Sequence, residues 1–272
     1  MCRQALFFPR PFALLLSLHA ILSNLFRPVK PIYLLAGALL SLPLSTAYAQ
    51  SGRDLAEAQA LYRQANAPAA ARSTRQIMEH QSIGFWGDGT YQPGALRTFD
   101  NRRRPVPGLR YHAALRMLEA QDSMNTDSTH FWPVGSLRGF DVGEAGDPEH
   151  PLRRFRPRLV KEGLTGPARR DFVEVLTAVD AGPLLLAWLY PPGPDPDKIG
   201  RRPLIQQLMA GPGVGGDEPL RPLALNQAEV LRLFGKRAEE VRSYAAGEHL
   251  RYDQPNEVAR MVDYFNRVAV AK

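Results

Sequence analysis

Apolar positions recur at helical spacing near both ends of the chain. Leu55, Ala58, Leu61 and Tyr62 share one helical face after Ser51, and a second helix is predicted over 69–80, beyond Pro68. Toward the C terminus Asn226 stands three residues before Glu229, a near capping box. It precedes Val230, Leu231, Phe234, Ala238, Val241 and Tyr244 at helical spacing. Gly247 stops that run. Val258, Met261, Val262, Phe265 and Val268 then form the stripe of another helix starting near Pro255. Two amphipathic helices joined by a short loop predict a C-terminal antiparallel hairpin.

The middle of the chain is less regular. Gly84, Gly87 and Gly89 break any helix, and the spacing of Tyr111, Ala114, Leu115 and Leu118 predicts one over 109–121. Residues 122–164 read as a long irregular region that Phe131, Trp132, Phe140 and Phe155 mark as ordered. Pro167 in a first turn, followed by Phe172, Val175, Leu176 and Val179, predicts a helix over 165–179. Residues 184–190 are apolar throughout and read as either a buried strand or a core helical turn. The proline-rich stretch 191–196 is a stiff connection and the candidate boundary within the chain.

The fold class expected from these patterns is mainly α, with long Pro/Gly-rich ordered loops, a small β element near 184–190 and the C-terminal hairpin. The expected organisation is a targeting segment over 1–49, a helical domain over 50–190, and a C-terminal helical segment over 197–272 packed on that domain or on a partner.

The targeting segment holds Arg3, Arg10, Arg27 and Lys30 and no acidic residue. It carries two apolar runs, 12–26 and 32–44, and ends with Ala47 and Ala49 in small-x-small spacing. That is the signature of a secretory signal cleaved after Ala49, placing the mature chain in the periplasm or outside the cell. Each run is shorter than a bilayer span, so the mature chain is not expected to cross a membrane. The length of the segment fits translation beginning at Val29. Removing it lowers the net charge from +7 to +3, since four of the 34 Lys+Arg go while all 27 Asp+Glu stay. Little basicity remains to argue for nucleic acid. The single cysteine, Cys2, leaves too, so the mature chain is cysteine-free and has neither disulfide nor thiolate chemistry.

No motif demands a cofactor. Gly211, Gly213 and Gly216 match G-x-G-x-x-G, but Asp217 and Pro219 follow where a phosphate-binding helix would open. Asp141, Glu144, Asp147, Glu149 and His150 lack the spacing of a calcium loop or a zinc helix, and Arg153, Arg154, Arg156 and Arg158 offer those carboxylates partners. No metal is expected. Ser136 lies in G-S-x-x-G, out of register with a nucleophile elbow, and His130 and His112 are triad partners only on paper.

Glu79, with Asp88 or Asp100 as second carboxylate and Trp86 and Tyr91 as stacking platforms, has the composition of a glycan hydrolase site. The arginines at 102–104 and 153–158 suit bidentate recognition of carboxylate or phosphate, on a polyanionic surface or an acidic partner. Solvated surface arginines explain the same facts and are the preferred reading.

The functional expectation is an exported, non-catalytic binding or assembly factor whose partner is another envelope protein or a cell-wall component. Tyr244, Val258, Met261 and Phe265 are its candidate contacts. The alternative is a cell-wall glycan hydrolase using Glu79 with Asp88 or Asp100. The sequence does not decide between enzyme and binding protein.

Overall fold

The computed structural model describes residues 42–80, 82–163, 166–180, 182–193, 204–213 and 218–270. Most of the expected targeting segment lies outside them. The compact unit Thr46–Lys272 carries the fold. Among the described residues two α-helices precede the rest of the fold, α1 (Leu42–Ala65) and α2 (Pro68–His80), and three follow it: α3 (Gln227–Arg232), α4 (Ala238–Gly247) and α5 (Pro255–Val270). Among the described residues no helix is long and apolar enough to cross a membrane.

The mainly α expectation is overturned between these helices by a ten-stranded antiparallel sheet. Its strands are β1 (Gln92–Arg97), β2 (Arg103–His112), β3 (Met117–Gln121), β4 (Thr129–Pro133), β5 (Gly139–Val142), β6 (Arg153–Val160), β7 (Arg169–Val175), β8 (Leu185–Leu189), β9 (Gln207–Gly211) and β10 (Arg221–Pro222). Their spatial order is β10-β9-β8-β7-β6-β5-β1-β2-β3-β4. Only one connection breaks the meander: after β4 the chain returns to the far side of β1, where β5 pairs with it.

The expected helix over 109–121 is the β2–β3 hairpin, in which Leu109 faces Ala120 and Tyr111 faces Leu118. Its turn holds Arg116 at φ 54 with no glycine, proline or asparagine to announce it. The expected helix over 165–179 contains β7. There Phe172 and Val173 are buried on opposite faces, so the run shows no alternation. The irregular region 122–164 supplies β4, β5 and β6, and 184–190 contains a strand, β8. Across the proline-rich stretch β8 pairs with β9, five residues to five.

Alternation gives the middle of the sheet two unlike faces. Leu96, Phe140 and Phe155 point one way, with Phe140 and Phe155 opposite each other and stacked at 4.6 Å. Arg97, Asp141, Arg154, Arg156 and Arg158 point the other way. The sheet curls over its aromatic face. Tyr111 on β2 lies 5.7 Å, ring to ring, from Phe172 on β7, although β1, β5 and β6 intervene and a flat sheet would part them by about 19 Å. Beyond β6 the curl reverses. Lys161 N donates to Leu220 O at 2.9 Å and Leu220 N to Leu159 O at 2.8 Å, joining the end of β6 to the segment entering β10. The small barrel so closed is filled by Val160, Val173, Val175, Leu185, Ala187, Leu189, Met209 and Leu220.

The outer face of β8 and β9 presents Leu186, Leu208 and Ala210 to Val230, Val241, Val258, Met261 and Val262 of α3, α4 and α5. Full burial stabilises each of these larger side chains by about 1.5–3 kcal/mol. Two asparagines dock helix to sheet by the same device. Asn266 on α5 gives Nδ2 to Leu184 O at 2.8 Å and takes Leu184 N–H on Oδ1 at 2.9 Å. Asn66, just past α1, does the same to Phe131 at 2.8 and 2.9 Å, pairing a residue of the edge strand β4.

Candidate functional site

Members of both arginine clusters, Arg102 and Arg103 with Arg156 and Arg158, converge on the charged side of the sheet. A cavity of about 830 Å³ there is lined by Arg97, Arg102, Arg103, Arg138, Arg156, Arg158 and Arg170, with Asp54, Asp180 and Glu218 as its carboxylates. The crossover that sets β5 between β1 and β6 creates this convergence, because it brings the ends of β1 and β6 within one strand of each other.

Asp141 is the buried counter-charge, 1% exposed. It sits 2.9 Å from Arg97 Nε, 2.8 Å from Arg156 Nη2 and 3.8 Å from Arg103 Nε. The Arg156 contact is close but out of hydrogen-bond line, so it acts through charge. The Arg156 guanidinium, 4% exposed, also bonds Asp180 at 2.5 Å and the carbonyls of Phe140 and Phe155. Gly139, at φ 144, makes room for it: a Cβ there would meet Phe155 O at 2.3 Å and Arg156 Nη1 at 2.9 Å.

Arg158 is held differently. Among the described residues its terminal nitrogens reach the carbonyls of Pro157 and Asp180, and its buried Nε has no hydrogen-bond partner. Burial pulls its pKa down. Asp180 opposes that shift, while Arg156 and Arg170 add to it by repulsion. Among the described residues Arg158, Arg170 and Arg138 have no carboxylate within ion-pair distance, although Arg138 reaches Asn101.

A second cavity, about 680 Å³, opens at the other ends of β1 and β6 between Trp86, Gln92, His150, Arg153, Tyr190 and Gln206. Arg153 lies 4.9 Å over the Trp86 ring and bonds Glu174 at 2.6 Å. Tyr190 donates to the same carboxylate and accepts from Gln206 at 3.3 Å. Burial, helped by the Glu174 charge, pushes the Tyr190 pKa up to about 12. The polar groups on this wall satisfy one another.

The expected catalytic carboxylates line neither cavity. Glu79 is exposed on α2. Asp88 is exposed and accepts from the amide and hydroxyl of Thr90, which lower its pKa. Asp100 sits in the β1–β2 turn with Thr98, Arg102 and Arg104, and the Thr98 hydroxyl above all brings its pKa to about 2. Trp86 does line the second cavity, while Tyr91 lies under the Arg110 guanidinium.

Of the expected partner contacts, Val258 and Met261 are fully buried in the core. Phe265 packs on Phe234 at 5.4 Å, and Tyr244 stacks on Tyr264 at 4.0 Å. Ser136 donates to the carbonyl of Pro133, while His130 contacts Tyr62 and Asp122. Asp147 caps its own loop through the amides of Glu149 and His150. No group of three or more His, Cys, Asp or Glu among the described residues is placed to hold a metal. The glycine motif splits: Gly211 ends β9, Gly213 borders the arginine cavity, and 214–217 lie outside the described residues.

What sequence reading missed is convergence. The available signal was the strict alternation of Arg154, Arg156 and Arg158 with Phe155, Pro157 and Leu159, a strand pattern that sets the arginines on one face. No protein-family model, no curated protein and no solved structure matches this chain.

Proposed function

We propose that the protein is an exported, non-catalytic binding protein that holds an anionic component of the cell envelope in the arginine-lined cavity. The observation that carries this reading is the Arg158 guanidinium, set among six other arginines, with no carboxylate within ion-pair distance and no hydrogen-bond partner for its Nε among the described residues. A native fold rarely leaves such a donor unpaired, and a phosphate or carboxylate oxygen is the partner a guanidinium fork accepts best. The lining arginines outnumber the three lining carboxylates and the buried Asp141 together, an excess of three positive charges. Export is supported by the N-terminal sequence pattern alone.

The test is calorimetric titration of the purified chain with inorganic phosphate, triphosphate and citrate, with chloride as control. Binding of at least one of these anions that Arg158→Gln abolishes is the expected result. Equal heats for the native chain and Arg158→Gln across the whole panel would remove the assignment. The carboxylate-pair reading draws no support from the geometry, since Glu79, Asp88 and Asp100 line neither of the two cavities.

A further inference from the structure

The arginines of the cavity form a row. Arg102 sits in the β1–β2 turn, Arg103 opens β2, Arg97 ends β1, Arg138 immediately precedes β5, Arg156 and Arg158 lie on β6, and Arg170 lies on β7. The five strands are consecutive in the sheet, β2-β1-β5-β6-β7. Register ties Arg97 to Arg103 on one side and Gly139 on the other; Arg170 pairs with Leu159, so it alternates with Arg158 and borders the cavity from the start of β7.

Charge is distributed unevenly along this row. In the middle, Asp141 neutralises Arg97 and Arg156, and Asp180 adds a second contact to Arg156. At one end Asp100 is shared between Arg102 and Arg104, and the Arg138 side chain reaches there from the start of β5 to donate to the Asn101 side-chain oxygen. At the other end Arg158 and Arg170 have no carboxylate within ion-pair distance among the described residues. A single small anion satisfies one end and leaves the other bare. A carboxylate polymer brings a whole sugar ring or peptide unit with each charge, whereas a phosphate chain carries its charges close together and offers oxygens along its length.

Resting on the anion-binding reading above, we infer that the ligand is a linear phosphate chain lying across the ends of β2, β1, β5, β6 and β7, its anionic groups engaging both ends of the row. Binding through both ends makes affinity depend on chain length, because the second contact forms at high effective concentration. It also makes Arg138 and Arg102, beside the β1–β2 turn, matter more to a chain than to a single phosphate.

The experiment compares orthophosphate, triphosphate and a polyphosphate long enough to span the row, titrated into the native chain, Arg138→Gln, Arg102→Gln and Arg170→Gln. All three substitutions are at exposed positions, and urea unfolding of each variant confirms that the fold is kept. The expected result is a rise of about tenfold or more in affinity from orthophosphate to polyphosphate, with steeper salt dependence for the longer chain. Arg138→Gln and Arg102→Gln should each weaken polyphosphate by about threefold to tenfold and orthophosphate by much less, while Arg170→Gln weakens both alike.

Equal affinities for orthophosphate and polyphosphate would overturn the chain inference and leave the anion-binding reading standing. So would citrate binding as tightly as polyphosphate. Silence from every anion would remove both. Vesicles of anionic phospholipid serve as the competing source of phosphate, and tighter binding to them than to free polyphosphate would replace the chain with a membrane surface.

Discussion

Replacing Asp141 with Asn tests whether the buried carboxylate is what allows Arg156 to sit inside the sheet. Asp141 is 1% exposed and Arg156 4%, so neither charge is shared with bulk water. An asparagine keeps the shape and still accepts from Arg97, but it leaves the Arg156 guanidinium with Asp180 alone, 29% exposed and already bonded to Arg154. Removing one partner of a buried pair costs about 3–5 kcal/mol. The surviving Asp180 contact puts the expectation at the lower end, about 3 kcal/mol. For a unit of this size that is a fall in Tm of about 6–12 °C.

Urea unfolding of the native chain and Asp141→Asn, followed by intrinsic fluorescence, measures the loss. The paired replacement Asp141→Leu with Arg156→Met removes both charges and should recover most of it, because Arg97 and Arg103 are 42% and 50% exposed and solvent takes them. A loss under about 1 kcal/mol for Asp141→Asn, or a paired variant no better than the single one, would refute the reasoning.

Asn266→Ala leaves both Leu184 N–H and C=O unpaired beneath α5 and should cost about 2–4 kcal/mol. Asn66→Ala, half-buried at the β4 edge where water can replace it, should cost about 1–2 kcal/mol; unfolding midpoints in the reverse order would contradict the docking account. Tyr190 keeps its proton to about pH 12 in the folded state, above the ordinary 10.0, so stability falls as pH rises between those values. Tyr190→Phe should flatten that slope in denaturation curves taken across the same range. Asp100, at about 2 when folded and 3.8 when free, contributes stability above pH 3.8 that is lost as pH falls through 2. Asp100→Asn should therefore lower the unfolding midpoint at neutral pH and match the native chain below pH 2; a constant gap at all pH values would show that charge is not the cause.

The helices were legible because their stripes face a single core. Val258, Met261 and Val262 read as one face of α5, and they are. The strands were illegible for the opposite reason. Phe172 belongs to the aromatic core and Val173, its neighbour, to the small barrel, so β7 is apolar on both sides and resembles a helix stripe. In β6 the period of two was present, but Pro157 within the run argues against a strand and the arginines read as a surface cluster. Both arginine groups and their taste for phosphate or carboxylate were visible in the chain. Their meeting was not, because it depends on β5 returning to pair with β1, a contact between residues more than forty positions apart that no local pattern encodes.

That return also sets the order in which the molecule can be completed. Strands β1 to β4 form a meander from neighbours in sequence, and β5 to β9 form another, each closed by its own hairpins. Within the sheet the join between them is the pairing of β5 with β1, four residues to four. Until it forms, the first meander carries an unpaired edge that includes Ala95 and Leu96, both buried in the finished fold. Long-range pairing of this kind is slow, and an open apolar edge templates association with other chains. A chain broken off before Gly139 therefore ends as a sheet with its adhesive side showing, so the short strand that assembles the arginine row is also the one that keeps the protein from sticking to itself.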